Sequence, residues 1–191
     1  MRLGILGSTN GTDLLPIFEA VQSGQLSASI EVVISNNGGS GILKKARDLG
    51  IEHYFICHKN KKRDVFDFEM SQILKDKKID LILLVGFMRI LSSDFVDMWS
   101  RKIINVHPSL LPKHAGGMNN AVHESVLASG ESETGCTIHL VTKEVDGGPI
   151  LLQKSCPVYS GDTAATLKER VQKLEGEAFI EVINNWSNYE Y

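Results

Sequence analysis

Short, mainly apolar runs that alternate with helix-spaced patterns restrict this chain more than any other feature in it. Such runs stand at 3–6, 30–34, 81–85 and 102–106, with a briefer one at 51–56. They are too short for helices and have the character of strands covered on both faces. Gly7 closes the first, the polar stretch 35–41 the second and Gly86 the fourth. Between them Leu14, Leu15, Ile17, Phe18 and Val21 recur at helical spacing, as do Val65, Phe66, Met70, Ile73 and Leu74 within 65–74; shorter helices fit 42–49 and 92–99. Repeated β-α alternation predicts an α/β fold with a mostly parallel, twisted, doubly wound sheet and helices on both faces.

Past Pro112 the pattern changes. A polar, glycine-containing loop at 113–120 is a candidate lid. A helix fits 122–128, and 134–141 alternates Cys136, Ile138 and Leu140 against Thr137, His139 and Val141 as a half-buried strand. Asp146-Gly147-Gly148-Pro149 is a tight turn before a further strand at 150–158, which is close enough in sequence to pair antiparallel. An amphipathic helix at 168–182 and a frayed tail at 184–191 complete the expectation. At 191 residues one domain is the better prior, 1–191.

The polar residues narrow the chemistry. Asn105 and His107 stand at i and i+2, so the fifth strand places them on one face at its end, and Pro108, with no N–H for a ladder, stops it. The carboxyl ends of parallel strands are where open α/β sheets bind ligands. An amide can donate to a developing oxyanion, and an imidazole carries a proton near neutral pH. A carboxylate at Asp146 would stabilise the protonated ring and raise its pKa. No G-x-S-x-G marks a nucleophilic serine, so the nucleophile is expected from the substrate, as in acyl transfer to an amine. The loop 7–13, Gly-Ser-Thr-Asn-Gly-Thr-Asp, is neither G-x-G-x-x-G nor a P-loop; it suits a single phosphate at a helix N-terminus. A plain strand-to-helix turn capped by Thr12 or Asp13 fits the same residues.

Composition excludes several classes. Twenty Lys and Arg against 23 Asp and Glu leave a net charge of -3, with no basic footprint for nucleic acid. The basic run 59–63 reads as a solvated approach to a helix, from which Arg63 could still reach an anion. Cys57, Cys136 and Cys156 lack zinc-site spacing and read as small buried or half-buried residues; Asn105, His107 and Asp146 do not supply a ligand set with the correct spacing, so no metal is expected. The N-terminus is too short in its apolar part for a signal peptide, and no run of about 18 apolar residues suggests a membrane span. A cytoplasmic, reduced protein is expected.

Residues 105–113, Asn-Val-His-Pro-Ser-Leu-Leu-Pro-Lys, and 145–150, Val-Asp-Gly-Gly-Pro-Ile, resemble the signatures of the folate-dependent formyltransferases. Gly86-Phe87-Met88-Arg89-Ile90-Leu91 and the order of the elements extend the likeness over nearly the whole chain. The resemblance implies a Rossmann-like sheet and 10-formyltetrahydrofolate as co-substrate, with formyl transfer to the amine of glycinamide ribonucleotide in purine synthesis. It implies a phosphate-binding half at about 1–100 and a folate and catalytic half at about 101–191, in a monomer or homodimer. His107 would be general acid and oxyanion partner, Asn105 would hold the formyl oxygen, and Asp146 would support His107 and shuttle protons. Gly11, Thr12 and Asp13 match the loop that holds the substrate phosphate, and Glu175 the carboxylate that holds its ribose or amino end. Met88, Arg89, Ile90 and Leu91 match the pterin pocket, and Arg63 and Arg89 would meet the folate glutamate carboxylates.

Two departures stand out. Family members usually carry Ser-Asn where this chain has Thr12-Asp13, which puts a negative charge near a phosphate. The loop 113–123 is longer than in the commonest bacterial form, and His123 reads as its anchor. Within the fold, a formyltetrahydrofolate hydrolase is the alternative; those enzymes usually carry a further N-terminal domain, whereas the first strand here starts at Leu3. A methionyl-tRNA formyltransferase would need an RNA-binding domain and a basic surface. A non-catalytic nucleotide-binding module is the remaining alternative.

Overall fold

The computed structural model describes residues 1–118 and 120–189. Asn119 of the candidate lid and Glu190 and Tyr191 of the tail lie outside the described residues. The chain divides into two compact units, Met1–Asn105 and Val106–Tyr191.

The first unit is the parallel sheet. Its strands are β1 (Arg2–Leu6), β2 (Ser29–Ser35), β3 (His53–Phe55), β4 (Leu81–Leu84) and β5 (Ile103–His107), the last of which runs two residues past the unit boundary. They lie in the order β3-β2-β1-β4-β5. The pairs β1–β2, β1–β4, β2–β3 and β4–β5 are all parallel. Leu3, Ile5 and Leu6 of β1 and all of β4 are buried, as the uninterrupted apolar runs require. The third strand is shorter than expected, the three residues His53–Phe55 against six.

Helices α1 (Leu14–Gln22), α2 (Gly41–Asp48), α3 (Arg63–Asp76) and α4 (Ser93–Met98) connect these strands. The chain steps from β1 through β2 to β3 on one side, then returns by α3 to β4 on the other side of β1. This reversal is a topological switch point, where the loops after β1 and β4 separate from a common edge. Hydrogen bonds join those two loops. The Ser8 N–H donates to the Gly86 carbonyl at 3.0 Å, and the Met88 N–H donates to Ser8 Oγ at 2.8 Å. Ser8 Oγ in turn donates to Asn36 Oδ1, beyond β2, at 2.6 Å. A side chain at Gly86 would strike Thr9 Oγ1, so this approach requires glycine.

The second unit carries α5 (Asn120–Ala128), the antiparallel pair β6 (Glu133–Leu140) and β7 (Ile150–Pro157), and α6 (Ala164–Asn184). Helix α6 starts earlier than the apolar spacing suggests because Thr163 and Thr166 form a reciprocal capping box ahead of it. The tail is not frayed through its described part: a 3-10 turn occupies Trp186–Asn188. β6 also differs from expectation, since Thr134 through Leu140 are all buried rather than half-buried. The polar alternate residues find partners indoors. Thr137 Oγ1 donates to the Ser109 carbonyl at 2.6 Å and accepts from the Leu111 N–H at 3.0 Å. Cys136 and Cys156 are buried as expected, whereas Cys57 is exposed because it lies in the turn leading to α3.

The β6–β7 connection is held tightly. The Leu140 N–H donates to the Pro149 carbonyl at 2.9 Å, and a Cβ at Gly148 would collide with the Leu140 carbonyl oxygen. Gly148→Ala is expected to lower unfolding free energy by ~1–3 kcal/mol, as overpacking typically does. Urea denaturation measures it, and an unchanged midpoint would show that the turn yields freely.

Candidate active site

The second unit gathers a buried polar cluster on Asp146. This residue sits in the β6–β7 turn with a left-handed backbone, φ +54°, a conformation Asp tolerates better than most residues. Its Oδ2 accepts the Gly116 N–H at 2.8 Å and faces His107 Nδ1 at 3.2 Å. Its Oδ1 faces His139 Nε2 at 3.5 Å. Burial pushes the carboxyl toward the neutral form, but contacts from His107, His139 and the Gly116 N–H outweigh it. The net effect holds the Asp146 carboxyl well below the usual carboxylate range.

His107 ends β5 and is 3% exposed. Its Nε2 lies 3.0 Å from the backbone carbonyl of His114. A carboxylate and a carbonyl oxygen can only accept, so the ring satisfies both only with a proton on each nitrogen. The arrangement therefore suits an imidazolium, a donor aimed from Nε2. Asn105 stands two residues earlier on the same strand and pairs in register with Leu84.

His139 and His114 were missed by sequence reasoning. His139 lay on what the alternation of β6 marked as the solvent side; a histidine two residues after Thr137, ahead of the Asp146 turn, was the available signal. His114 enters through its backbone, which no side-chain pattern reveals. His123, read as the anchor of the loop 113–123, is buried within α5, with Nδ1 making no hydrogen bond. Burial first, then the positive Lys168 and His107, push its pKa down to about 4.

In the first unit, Gly11 has φ +56° and directs the loop into α1. Asp13 is the N-cap of α1, but its side chain makes no capping bond, contrary to the simple turn reading. It is 3% exposed, and Oδ1 has no partner. Burial raises its pKa to about 7, against lowering by its own backbone N–H and by Lys45. Met88, Arg89, Ile90 and Leu91 follow β4, so Ser8 binds this segment to the loop of Gly11, Thr12 and Asp13. The Arg89 guanidinium stacks 4.7 Å over the Phe66 ring, with Nε buried and unpartnered. Arg63 opens α3, and both arginines act on the buried carboxyl of Asp67. Glu175 is buried on α6. Among the described residues, no group of three or more His, Cys, Asp or Glu is arranged to hold a metal ion.

A family model described as formyl transferase matches residues 1–183. The chain belongs to the formyl transferase family. It is 35% identical over 187 residues to the phosphoribosylglycinamide formyltransferase of Escherichia coli (strain K12), covering 97% of this chain and 86% of that protein. It is 44% identical over 179 residues to the human trifunctional purine biosynthetic protein adenosine-3, covering 93% of this chain but only 17% of that relative. Among solved structures, glycinamide ribonucleotide transformylase 1 from Symbiobacterium toebii matches with TM-score 0.93 and 32% identity, covering 98% of this chain and 88% of that one. The fold is the family's: Rossmann-like and mostly parallel, with seven strands, an antiparallel C-terminal pair and six α-helices among the described residues. A formyltetrahydrofolate deformylase from Pseudomonas syringae, at 24% identity and TM-score 0.83, shares the fold.

The two buried groups give a pH prediction. Below pH 6.5 an unfolded His123 takes up a proton, while the folded one does so only near 4, so stability falls as pH falls through that window. Below 3.8 the unfolded Asp146 takes up a proton while the folded carboxylate stays ionised, which adds a further loss. His123→Leu is expected to flatten the urea midpoint between pH 6.5 and 4, and Asp146→Asn to flatten it only below that range. A His123→Leu profile identical to wild type would contradict the buried neutral imidazole.

Proposed function

We propose that the chain transfers a formyl group from 10-formyltetrahydrofolate to the amine of glycinamide ribonucleotide. The observation that carries this reading is the His107–Asp146 pair at 3.2 Å, with Asn105 two residues away on the same strand. Likeness to named phosphoribosylglycinamide formyltransferases supports the acceptor. The chain spans only 13–18% of the trifunctional relatives, so the other activities of those proteins have no counterpart in this reading.

In this reaction the acceptor amine attacks the formyl carbon and a C–N bond forms. The formyl oxygen gains negative charge, which the His107 Nε2–H and the Asn105 amide stabilise as donors. Asp146 keeps the ring protonated at Nδ1 and oriented. On collapse the bond to folate N10 breaks, N10 gains a proton and the attacking amine loses one. His107 is suited to give and retake that proton. Gly11, Thr12 and Asp13 take the role of phosphate loop, and Glu175 that of holding the ribose or amino end. Met88, Arg89, Ile90 and Leu91 read the pterin, with Arg63 and Arg89 for the glutamate carboxylates. The two units serve as one formyltransferase domain, as a monomer or homodimer. A net charge of -3 supports small molecules over nucleic acid as partners, and three free cysteines support a cytoplasmic setting.

Mixing the protein with a 10-formylfolate, with and without glycinamide ribonucleotide, tests the reading by absorbance. Deformylation that requires the amine is expected. Turnover without it would favour a hydrolase, and ligand binding without turnover a non-catalytic module. His107→Ala is expected to lower kcat at least ~10²-fold with little change in folate affinity, since one oxyanion donor contributes ~2.7–4 kcal/mol. A folded variant with wild-type kcat would remove His107 from the chemistry.

A further inference from the structure

Asp146 occupies Nδ1 of His107, so Nε2 is the ring nitrogen left for a substrate oxygen. That position is filled by the chain itself: the His114 carbonyl lies 3.0 Å from Nε2. We propose that the loop carrying His114 is a built-in competitor of the formyl donor, and that the anchorage of the His114 side chain by Ser125 and Glu131 sets donor affinity. The proposal rests on the formyltransferase reading. A donor's formyl oxygen and a peptide carbonyl are the same kind of acceptor, both amide oxygens, and one N–H cannot serve both at full strength.

The anchorage is built from three segments. His114 Nδ1 lies 2.8 Å from Ser125 Oγ on α5, and Nε2 lies 2.8 Å from Glu131 Oε1 just beyond that helix. Lys113 Nζ adds a contact to Glu131 Oε2 at 3.1 Å. His114 first, then Lys113, hold the Glu131 carboxyl below its usual range despite some desolvation. The base of the loop is fixed separately, by Ser109 Oγ donating to the Lys113 carbonyl at 2.7 Å. The segment that must move is therefore short. Gly116 has φ +76° and open space where a side chain would be, which suits a hinge. His114 itself holds a left-handed backbone, φ +59°, a cost that a non-glycine residue bears only when its surroundings enforce it. Ser125 and Glu131 supply that enforcement.

Displacement of the loop removes two contacts at once, the His114 carbonyl from His107 and the Gly116 N–H from Asp146. Apparent donor affinity is then scaled by the fraction of molecules with the loop displaced. Ser125 and Glu131 are positioning residues in this scheme. They touch neither reacting group, and they act through the equilibrium of one loop.

Fluorescence titration of a non-transferable 10-formylfolate analogue, with amide exchange of residues 113–117, tests this in the full chain. Glu131→Ala and Ser125→Ala are expected to speed exchange at Gly116 and to tighten analogue binding about twofold to fivefold, the range of a partly exposed ionic contact. KM for the donor falls with it while kcat stays within about twofold, and Glu131→Gln gives an intermediate gain. Faster exchange with unchanged or weaker binding overturns the proposal, because the loop would then be a wall of the donor site. Unchanged exchange overturns it too, because the anchorage would not restrain the loop. If the wild type binds no formylfolate while its amide exchange shows a folded chain, the formyltransferase reading itself falls and takes this one with it.

Discussion

One carboxylate organises the second unit. Asp146 accepts from the loop at Gly116 and faces His107 at the end of β5 and His139 on β6, so three segments converge on two oxygens. A buried charge of this kind is costly unless its surroundings supply protons, and removal of any one donor leaves the others to carry the desolvation. The same demand fixes the imidazole of His107, since a ring between a carboxylate and a carbonyl is satisfied only as a double donor. The contact that makes Asp146 tolerable inside the protein is the same one that orients the His107 ring.

The first unit solves a different problem with the same economy. Its central strand has neighbours on both sides, and the reversal of the chain between β3 and β4 opens two loops at one edge of the sheet. Ser8 then links three crests, through the Gly86 carbonyl, the Met88 N–H and Asn36. One hydroxyl and a glycine without a side chain thus tie the loops at this edge of the sheet together. Asp13 sits oddly within it. A carboxyl at a helix N-terminus is ordinarily ionised and welcome there. Here burial removes it from water, and its protonation lies near neutrality, about 7.

Much of the fold was legible, for reasons particular residues make plain. The run 81–85 reads as a strand because five consecutive apolar residues have no other good use at that length, and Gly86 follows. The Asp146 turn was legible from Gly147, Gly148 and Pro149. The alternation in β6 was legible as well but pointed the wrong way. Period-2 polarity says that alternate residues differ in environment, and it was read as core against water. In the structure it separates core from site, with Thr137 and His139 buried against Ser109 and Asp146. Residue type cannot distinguish a hydroxyl facing solvent from one facing a buried carbonyl, because both satisfy it.

By itself, then, the order of residues determined the β-α alternation, the antiparallel pair at the C-terminal end, and the likeness to a family through Asn105, His107 and Asp146. These follow from local periodicity and turn chemistry, which act over a few residues. The tertiary structure alone decided that the His114 carbonyl covers His107, that Ser125 and Glu131 hold it there, and that His139 joins Asp146. Each of these depends on a backbone group or a long-range approach. Backbone carbonyls are identical at every position, so nothing in the sequence distinguishes the one that will stand against an imidazole until the chain has folded around it.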